Sequence, residues 1–293
     1  MKLSKWILGA ALLFSAQVTS VQGASCGPCD PCYESKSCDL CDIDFCDVEY
    51  DFYVDALYWK FCRSELDYDD DDSHGFGDHG WLWGYRLGGI ARYDQWDLGL
   101  RYTSFSDSFK KDLDGEDFKH DFDYDVLDIE AGFSCCVCDG LTLRPLAGVK
   151  LAWIDDRLKD EDTGFDSKID YNGYGLYLGL SGRWDLCSYC MCDRDIPLAL
   201  VTRATTGLLH GKFCYDYDDG SEEDYEDECL FNPVHDLYIG LDMSFCDLCG
   251  CGDAFFQIGY EAQYWGSWRE HDGDSEIASW GLGGLVLRFG LGF

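Results

Sequence analysis

The chain has 293 residues, carries 57 acidic against 22 basic side chains for a net charge of −35, and is still 46% hydrophobic and 16% aromatic. That balance excludes nucleic acid as a partner, because nothing neutralises phosphates, and argues against an anchor on an anionic membrane surface. A chain this apolar and this charged is odd for a plain globular domain but natural for a barrel with an apolar outer wall and charged loops.

Residues 1–23 read as a secretory signal peptide: Lys2 and Lys5 form a positive start, Trp6 to Phe14 an apolar core, and Val21-Gln22-Gly23 a stretch before cleavage near Ala24. The apolar core is too short to cross a bilayer as a helix. The competing reading is a lipoprotein signal acylating Cys26, but Gly23-Ala24-Ser25 lacks the usual leucine. No later segment has 18 consecutive apolar residues, so no transmembrane helix is expected. Export puts the 18 cysteines in an oxidising compartment, where they read as disulfides. Residues 24–49 form a cysteine-rich leader with Cys26, Cys29, Cys32, Cys38, Cys41 and Cys46, and Pro28 and Pro31 disfavour a regular element in it.

From residue 50 to 293 the chain alternates with a period of two, the signature of strands. Phe52, Val54, Ala56 and Tyr58 oppose Asp51 and Asp55. Trp83, Tyr85, Leu87 and Ala91 oppose Arg86 and Arg92; Trp96, Leu98, Leu100 and Tyr102 oppose Asp97, Arg101 and Thr103. Leu127, Ile129, Ala131 and Phe133 oppose Asp128 and Glu130; Val149, Leu151 and Trp153 oppose Arg144 and Lys150. Tyr174, Leu176, Leu178 and Leu180 oppose Ser181 and Arg183; Leu198, Leu200 and Leu208 oppose Arg203. Leu237, Ile239, Leu241 and Met243 oppose Asp236 and Asp242; Phe256, Ile258, Tyr260 and Tyr264 oppose Gln257, Glu261 and Gln263; Leu285, Leu287, Phe289, Leu291 and the terminal Phe293 oppose Trp280 and Arg288.

This pattern predicts an all-β fold, an antiparallel transmembrane β-barrel of about ten strands (eight to twelve). A soluble sandwich would also alternate, but nearly every strand here has an apolar face and no helical pattern supplies a covering layer. Long acidic connections at 63–80, 106–121, 155–170 and 213–232 read as extracellular loops. Short ones at Tyr93-Asp94-Gln95 and at three cysteine clusters read as periplasmic turns. Trp81, Trp153, Trp184, Trp265 and Trp280 are candidates for the interfacial girdles.

The clusters are Cys135, Cys136 and Cys138; Cys187, Cys190 and Cys192; and Cys246, Cys249 and Cys251. With the leader they place fifteen cysteines on the periplasmic side. Cys62, Cys214 and Cys229 remain near the outer side, where Cys214 and Cys229 could close the acidic loop. Both counts are odd, so the clusters read as attachment points to other envelope molecules. Their CxxC spacings suit zinc or iron–sulfur clusters, but exported thiols are rarely kept as thiolates and no histidine pattern accompanies them; no metal or cofactor is expected.

Tyr53-Val54-Asp55-Ala56-Leu57-Tyr58-Trp59-Lys60, Gly84-Tyr85-Arg86-Leu87-Gly88-Gly89, Gln95-Trp96-Asp97-Leu98, Leu141-Thr142-Leu143-Arg144-Pro145, Ala152-Trp153-Ile154-Asp155, Gly259-Tyr260-Glu261 and terminal Phe293 follow one another in an order and spacing of their own. Together they resemble the pore-forming family of Legionella and chlamydial-type major outer membrane proteins. The resemblance covers most of 50–293 and implies an outer-membrane barrel with porin activity, passing small hydrophilic solutes by passive diffusion. The chain departs from the family in its cysteines, which look like the crosslinked envelopes of chlamydia-like bacteria. The partners this implies are outer-membrane lipid and, through disulfides, other cysteine-rich envelope proteins or copies of the chain itself.

By parity, the inward charges are Arg86, Arg92, Arg101, Arg144, Lys150, Arg183, Arg203 and Arg288 against Asp51, Asp55, Asp97, Asp128, Glu130, Asp236, Asp242 and Glu261. Two readings stay open: a water-filled channel with charged walls, or a narrow lumen filled by ion pairs in a mainly structural envelope protein. The acidic loops read as solvated surface, with Ca²⁺ binding as the alternative; Asp216-x-Asp218-Asp219-Gly220 is not an EF-hand, since its glycine falls one position early. His74, His79, His210 and His235 lie near loop ends, but no spacing singles out a catalytic pair, so no enzyme is expected.

Overall fold

The computed structural model describes residues 48–63, 80–113, 116–160, 166–191, 194–218, 223–245, 253–269 and 277–293. They form strands β1 (Glu49–Arg63), β2 (Trp81–Tyr93), β3 (Trp96–Leu113), β4 (Glu116–Phe133), β5 (Cys135–Cys138), β6 (Leu141–Asp160), β7 (Asp166–Met191), β8 (Arg194–Asp218), β9 (Glu223–Phe245), β10 (Asp253–Arg269) and β11 (Ile277–Gly292). All pairings are antiparallel. Pairing of β1 with β11, and of β4 with β6, closes ten long strands on themselves, while four-residue β5 pairs with β6 alone. Closure removes every edge that lipid would otherwise leave without hydrogen-bond partners.

The registers fix the stagger. The lateral row that leaves β7 at Tyr174 passes through Leu151, Leu127, Tyr102, Leu87, Val54, Phe289, Phe256, Met243 and Leu198, and returns to β7 at Cys187. The return is thirteen residues along the strand, twelve once the extra residue of the bulge between Asp185 and Cys187 is discounted. Such a stagger tilts the strands by roughly 40°. Outward-facing aromatics form two bands: Trp81, Trp83, Trp153, Tyr174 and Phe231 toward the long hairpins, and Tyr50, Trp96, Trp184 and Phe293 toward the short turns. On β7 the bands are ten residues apart, Tyr174 to Trp184, or about 33 Å of strand and about 25 Å of height at that tilt. This matches the apolar belt of a membrane barrel.

Trp265 and Trp280 do not join the girdles. Both are buried inside the barrel, because their positions in the β10 and β11 registers fall on the inward parity. The described residues of 106–121, 155–170 and 213–232 are strand rather than loop. The ladders run on to Leu113↔Glu116, Lys159↔Asp166 and Asp218↔Glu223. Beyond the aromatic band the outward face no longer meets acyl chains, so the apolar outward alternation fades while the backbone pairing continues.

The cysteine clusters also depart from simple turns. Cys135, Cys136 and Cys138 make β5, opposite Leu143, Thr142 and Leu141, and the chain reverses at Asp139-Gly140, where Gly140 has φ 77°. Cys187 and Cys190 sit in β7 opposite Leu198 and Asp195, on a two-stranded ribbon projecting past Trp184. The other short reversal, Asp94-Gln95, holds Asp94 at φ 55°. The signal peptide, the leader to residue 47 with its six cysteines, Cys192, Cys246, Cys249 and Cys251 lie outside the described residues, as do most of 63–80, His74 and His79.

Glycines set the inner wall where a ring must lie flat. Gly173 and Gly211 stand opposite each other across β7 and β8 with the Tyr171 ring over both; a Cβ at either would come within 2.2 Å of that side chain. Gly211→Val is therefore expected to destabilise the barrel by about 1–3 kcal/mol through overpacking. Gly80→Ala, with nothing within 4 Å of the added carbon, should be neutral. Urea unfolding in lipid vesicles, followed by tryptophan fluorescence, checks both.

Candidate functional site in the barrel lumen

The inward positions divide the lumen into two halves. Toward the short turns they carry charge, and each of the ten long strands contributes through its period of two. Asp128 on β4 sits between Arg101 of β3 and Lys150 of β6: Arg101 Nε and Nη2 donate to Oδ2 at 3.0 and 2.7 Å, and Lys150 Nζ lies 2.9 Å from Oδ1. Lys150 also lies 3.4 Å from Asp236, which accepts the Thr205 hydroxyl at 3.0 Å. Glu130 accepts Arg203 at 2.6 and 3.2 Å and the Tyr177 hydroxyl at 3.0 Å, and pairs with Arg144 at 3.0 Å. Arg144 in turn forks onto Asp97, its Nε 2.6 Å away.

A third group bridges the seam. Arg86 donates to both Glu261 oxygens at 2.8 and 2.9 Å, to Asp55 at 3.2 Å and to Thr103 at 2.9 Å. Arg288 forks onto Asp55 at 2.7 and 2.9 Å, with its guanidinium 3.9 Å from the centre of the Tyr53 ring. At the rim, Arg92 pairs with Asp51, and Arg183 with Asp242 and Asp185. Taking such charges out of water costs several kcal/mol each, so they persist only as bonded sets. A cavity of about 700 Å³ lies among these groups and reaches the short-turn rim at Glu49, Asp253 and Phe293.

The other half is apolar. Gln263 marks the boundary: its amide donates to Glu261 at 2.8 Å, and its carbonyl accepts the Tyr124 hydroxyl at 2.8 Å. Beyond it, rings from seven strands fill the bore. Trp265 and Trp280 stack in parallel, centroids 5.2 Å apart, and Tyr124 stands edge-on to both at 5.8 and 6.0 Å. Phe61 packs on Phe122 at 4.6 Å, and Tyr171 on Phe213 at 4.5 Å; Trp59 and Phe105 complete the layer. Each of these nine rings is at most 2% exposed. Within the layer His120 Nε2 and Asp156 Oδ1 lie 2.6 Å apart, both buried.

The sequence reading missed this layer and the His120–Asp156 pair. A signal was present: at Leu57, Trp59 and Phe61 the parity of Asp51 and Asp55 turns apolar, and from Phe122 to Val126 the apolar residues take the parity of Asp128 and Glu130, leaving Asp123 and Asp125 on the other. His210 and His235 face outward, His210 against Tyr174 and Phe231, His235 against Tyr264. Cys214 and Cys229 share the outward face but stand opposite Asp227 and Lys212, a two-residue offset. That diagonal is about 7–8 Å, longer than the usual Cα spacing of a disulfide. Cys62 and Cys138 are exposed. Phe293 zips the seam, its N–H and C=O bonded to Tyr50 at 2.9 and 3.1 Å. Among the described residues, no group of three or more His, Cys, Asp and Glu is arranged to hold a metal ion.

A profile of the family described as the Legionella pneumophila major outer membrane protein precursor matches residues 46–272. No curated protein matches. Among solved structures, the outer membrane protease OmpT from Escherichia coli is 10% identical over 84% of this chain and 96% of its own, with a TM-score of 0.49. A major outer membrane protein from Thermus thermophilus is 12% identical over 84% of this chain and 99% of its own, TM-score 0.41. The toluene transporter TodX from Pseudomonas putida is 12% identical over 83% and 89%, TM-score 0.33.

Removing one member of a buried set should cost more than removing the whole set. Asp128→Ala leaves Arg101 and Lys150 facing each other without their anion and is expected to lose about 3–5 kcal/mol. Adding Arg101→Met and Lys150→Met should recover most of that loss, read from urea midpoints in vesicles.

Proposed function

Because the chain belongs to the family of the Legionella pneumophila major outer membrane protein and is a β-barrel of the bacterial outer membrane, we propose that it is chiefly a structural envelope protein with a closed lumen. The observation that carries this reading is the layer of nine buried rings across the long-hairpin half of the bore. A path for hydrated solutes would have to pass where Trp59, Trp265 and Trp280 pack on their neighbours. The paired charges behind the layer act as cross-braces between strands rather than as a conducting wall.

In this reading the long acidic hairpins face outward and the cysteine-bearing ribbons face the periplasm, together with the leader. Disulfides then tie the barrel to other cysteine-rich envelope proteins or to its own copies. The exposed thiol of Cys138 and the ribbon carrying Cys187 and Cys190 support that role. No catalytic role is assigned, since His120 and Asp156 are buried within the ring layer. One feature favours the porin reading: the polar cavity behind the layer, already the size of a small solute. Passive diffusion then requires the rings to move aside.

Planar-bilayer recording separates the two. The wild-type barrel is expected to insert without discrete conductance steps, with or without reductant. Trp59→Ala/Trp265→Ala/Trp280→Ala should open a path and give steps; regular steps from the wild type would sink the closed-lumen reading. Non-reducing gels of isolated envelopes test the crosslinks. Species larger than the monomer that collapse on reduction are expected, and a purely monomeric band would count against them.

A further inference from the structure

Just past the Trp153 band the outward face carries a lateral row of one sign of charge. Asp123 of β4, Asp155 of β6 and Asp170 of β7 stand directly opposite one another, two residues beyond Trp153 along β6, or about 7 Å of strand. Like charges on facing positions of a ladder are destabilising. The two outer members have local partners: Asp123 accepts the Ser106 hydroxyl at 2.5 Å, and Asp170 Oδ2 accepts Lys168 Nζ at 2.6 Å. Asp155, between them, has a carboxylate on either side. The cations around it are engaged elsewhere, Arg157 by Asp166 with Nε at 2.9 Å, Lys168 by Asp170 and Lys119 by Asp121.

The groups that face Asp155 are Asp121, Asp123 and Asp125 from β4, Lys168 and Asp170 from β7, and Arg157 on its own strand. Asp121 and Asp125 are themselves bonded, by Ser108 with Lys119 and by the Tyr102 hydroxyl. Burial first, then a hydrogen bond with Asp170 and the Asp170 charge, raise the Asp155 pKa; Lys168 opposes the rise and Asp123 adds to it. A hydrogen bond between two carboxyls needs one proton. Asp170, held ionised by Lys168 on Oδ2, is the acceptor, and its buried Oδ1 is open to the bond. A carboxyl with a raised pKa in the folded wall binds its proton more tightly there than in an opened one. The wall is therefore firmest in acid and loosens as pH rises from the ordinary carboxylate range through the raised pKa.

We propose that Asp123, Asp155 and Asp170 form a proton-operated clamp on the long hairpins: in acid Asp155 takes a proton from the medium and bonds Asp170, holding β4, β6 and β7 together, and at neutral pH its charge loosens them. The clamp goes beyond the structural role proposed above and does not depend on which way the barrel faces. Hydrogen exchange of the refolded full-length mature barrel in detergent micelles tests it, read by mass spectrometry as protection factors for β6 and β7 peptides around Asp155 and Asp170 at about pH 7.5 and about pH 4.5. Protection should be about two- to fivefold higher in acid, the range that facing like charges imply. Peptides of β11 supply the reference for any pH effect on the barrel as a whole. Asp155→Asn, uncharged but still a donor, should show the acid level of protection already at neutral pH and change no further. Asp155→Ala, with neither charge nor donor, should lose the pH response without reaching that level. Asp139→Asn, at a short turn, should respond as wild type. Equal wild-type protection at the two pH values overturns the proposal, as does a pH response that survives in Asp155→Asn, or lower protection in that variant than in wild type at neutral pH.

Discussion

Closing the backbone ladder is the constraint from which everything else in this barrel follows. In lipid an unpaired N–H or C=O has no water to turn to, so the sheet must meet itself. Once β1 meets β11 and β4 meets β6, each residue's parity is fixed as inward or outward, and a stagger of twelve leaves no freedom to slip a single strand. A shift of one residue would turn Arg86, Asp128 and Glu261 into the acyl chains and Leu87, Ile129 and Tyr260 into the bore.

The two halves of the lumen solve one problem by different means. Ten strands enclose an interior slightly wider than side chains fill most easily. In one half, long arginines cross the gap and meet carboxylates from distant strands, leaving a polar cavity. In the other, indole and phenol rings span it by bulk alone. Gln263 joins the two by bonding Glu261 on one side and Tyr124 on the other. Trp59 does the same through its face, lying 5.4 Å beneath the Arg86 guanidinium.

Outward alternation was legible because lipid demands it strand after strand, and the inward charges at Arg101, Asp128 and Lys150 were legible because a charge inside an apolar repeat has only one face to occupy. The ring layer was not, since an apolar residue carries no mark saying which side it faces. Trp153 and Trp265 look alike in sequence and differ only through registers set by partners far along the chain. The length of the hairpins was hidden for the opposite reason: at Lys119 or Lys168 both faces are polar, and a paired strand then reads like a loop.

The ion pairs that bridge the seam join residues remote along the chain. Arg86 and Glu261 are 175 residues apart, and Asp55 and Arg288 are 233 apart. No hairpin can form these pairs by itself. An open curl of strands entering the bilayer would carry Glu261 without Arg86 and Arg288 without Asp55, each lost pair disfavoured by several kcal/mol. Stability is therefore withheld until the final edge docks, at which point the pairs form together. Such a wall assembles cooperatively, with little to gain from a partly zipped state, and its two terminal strands act as a clasp rather than as one more seam.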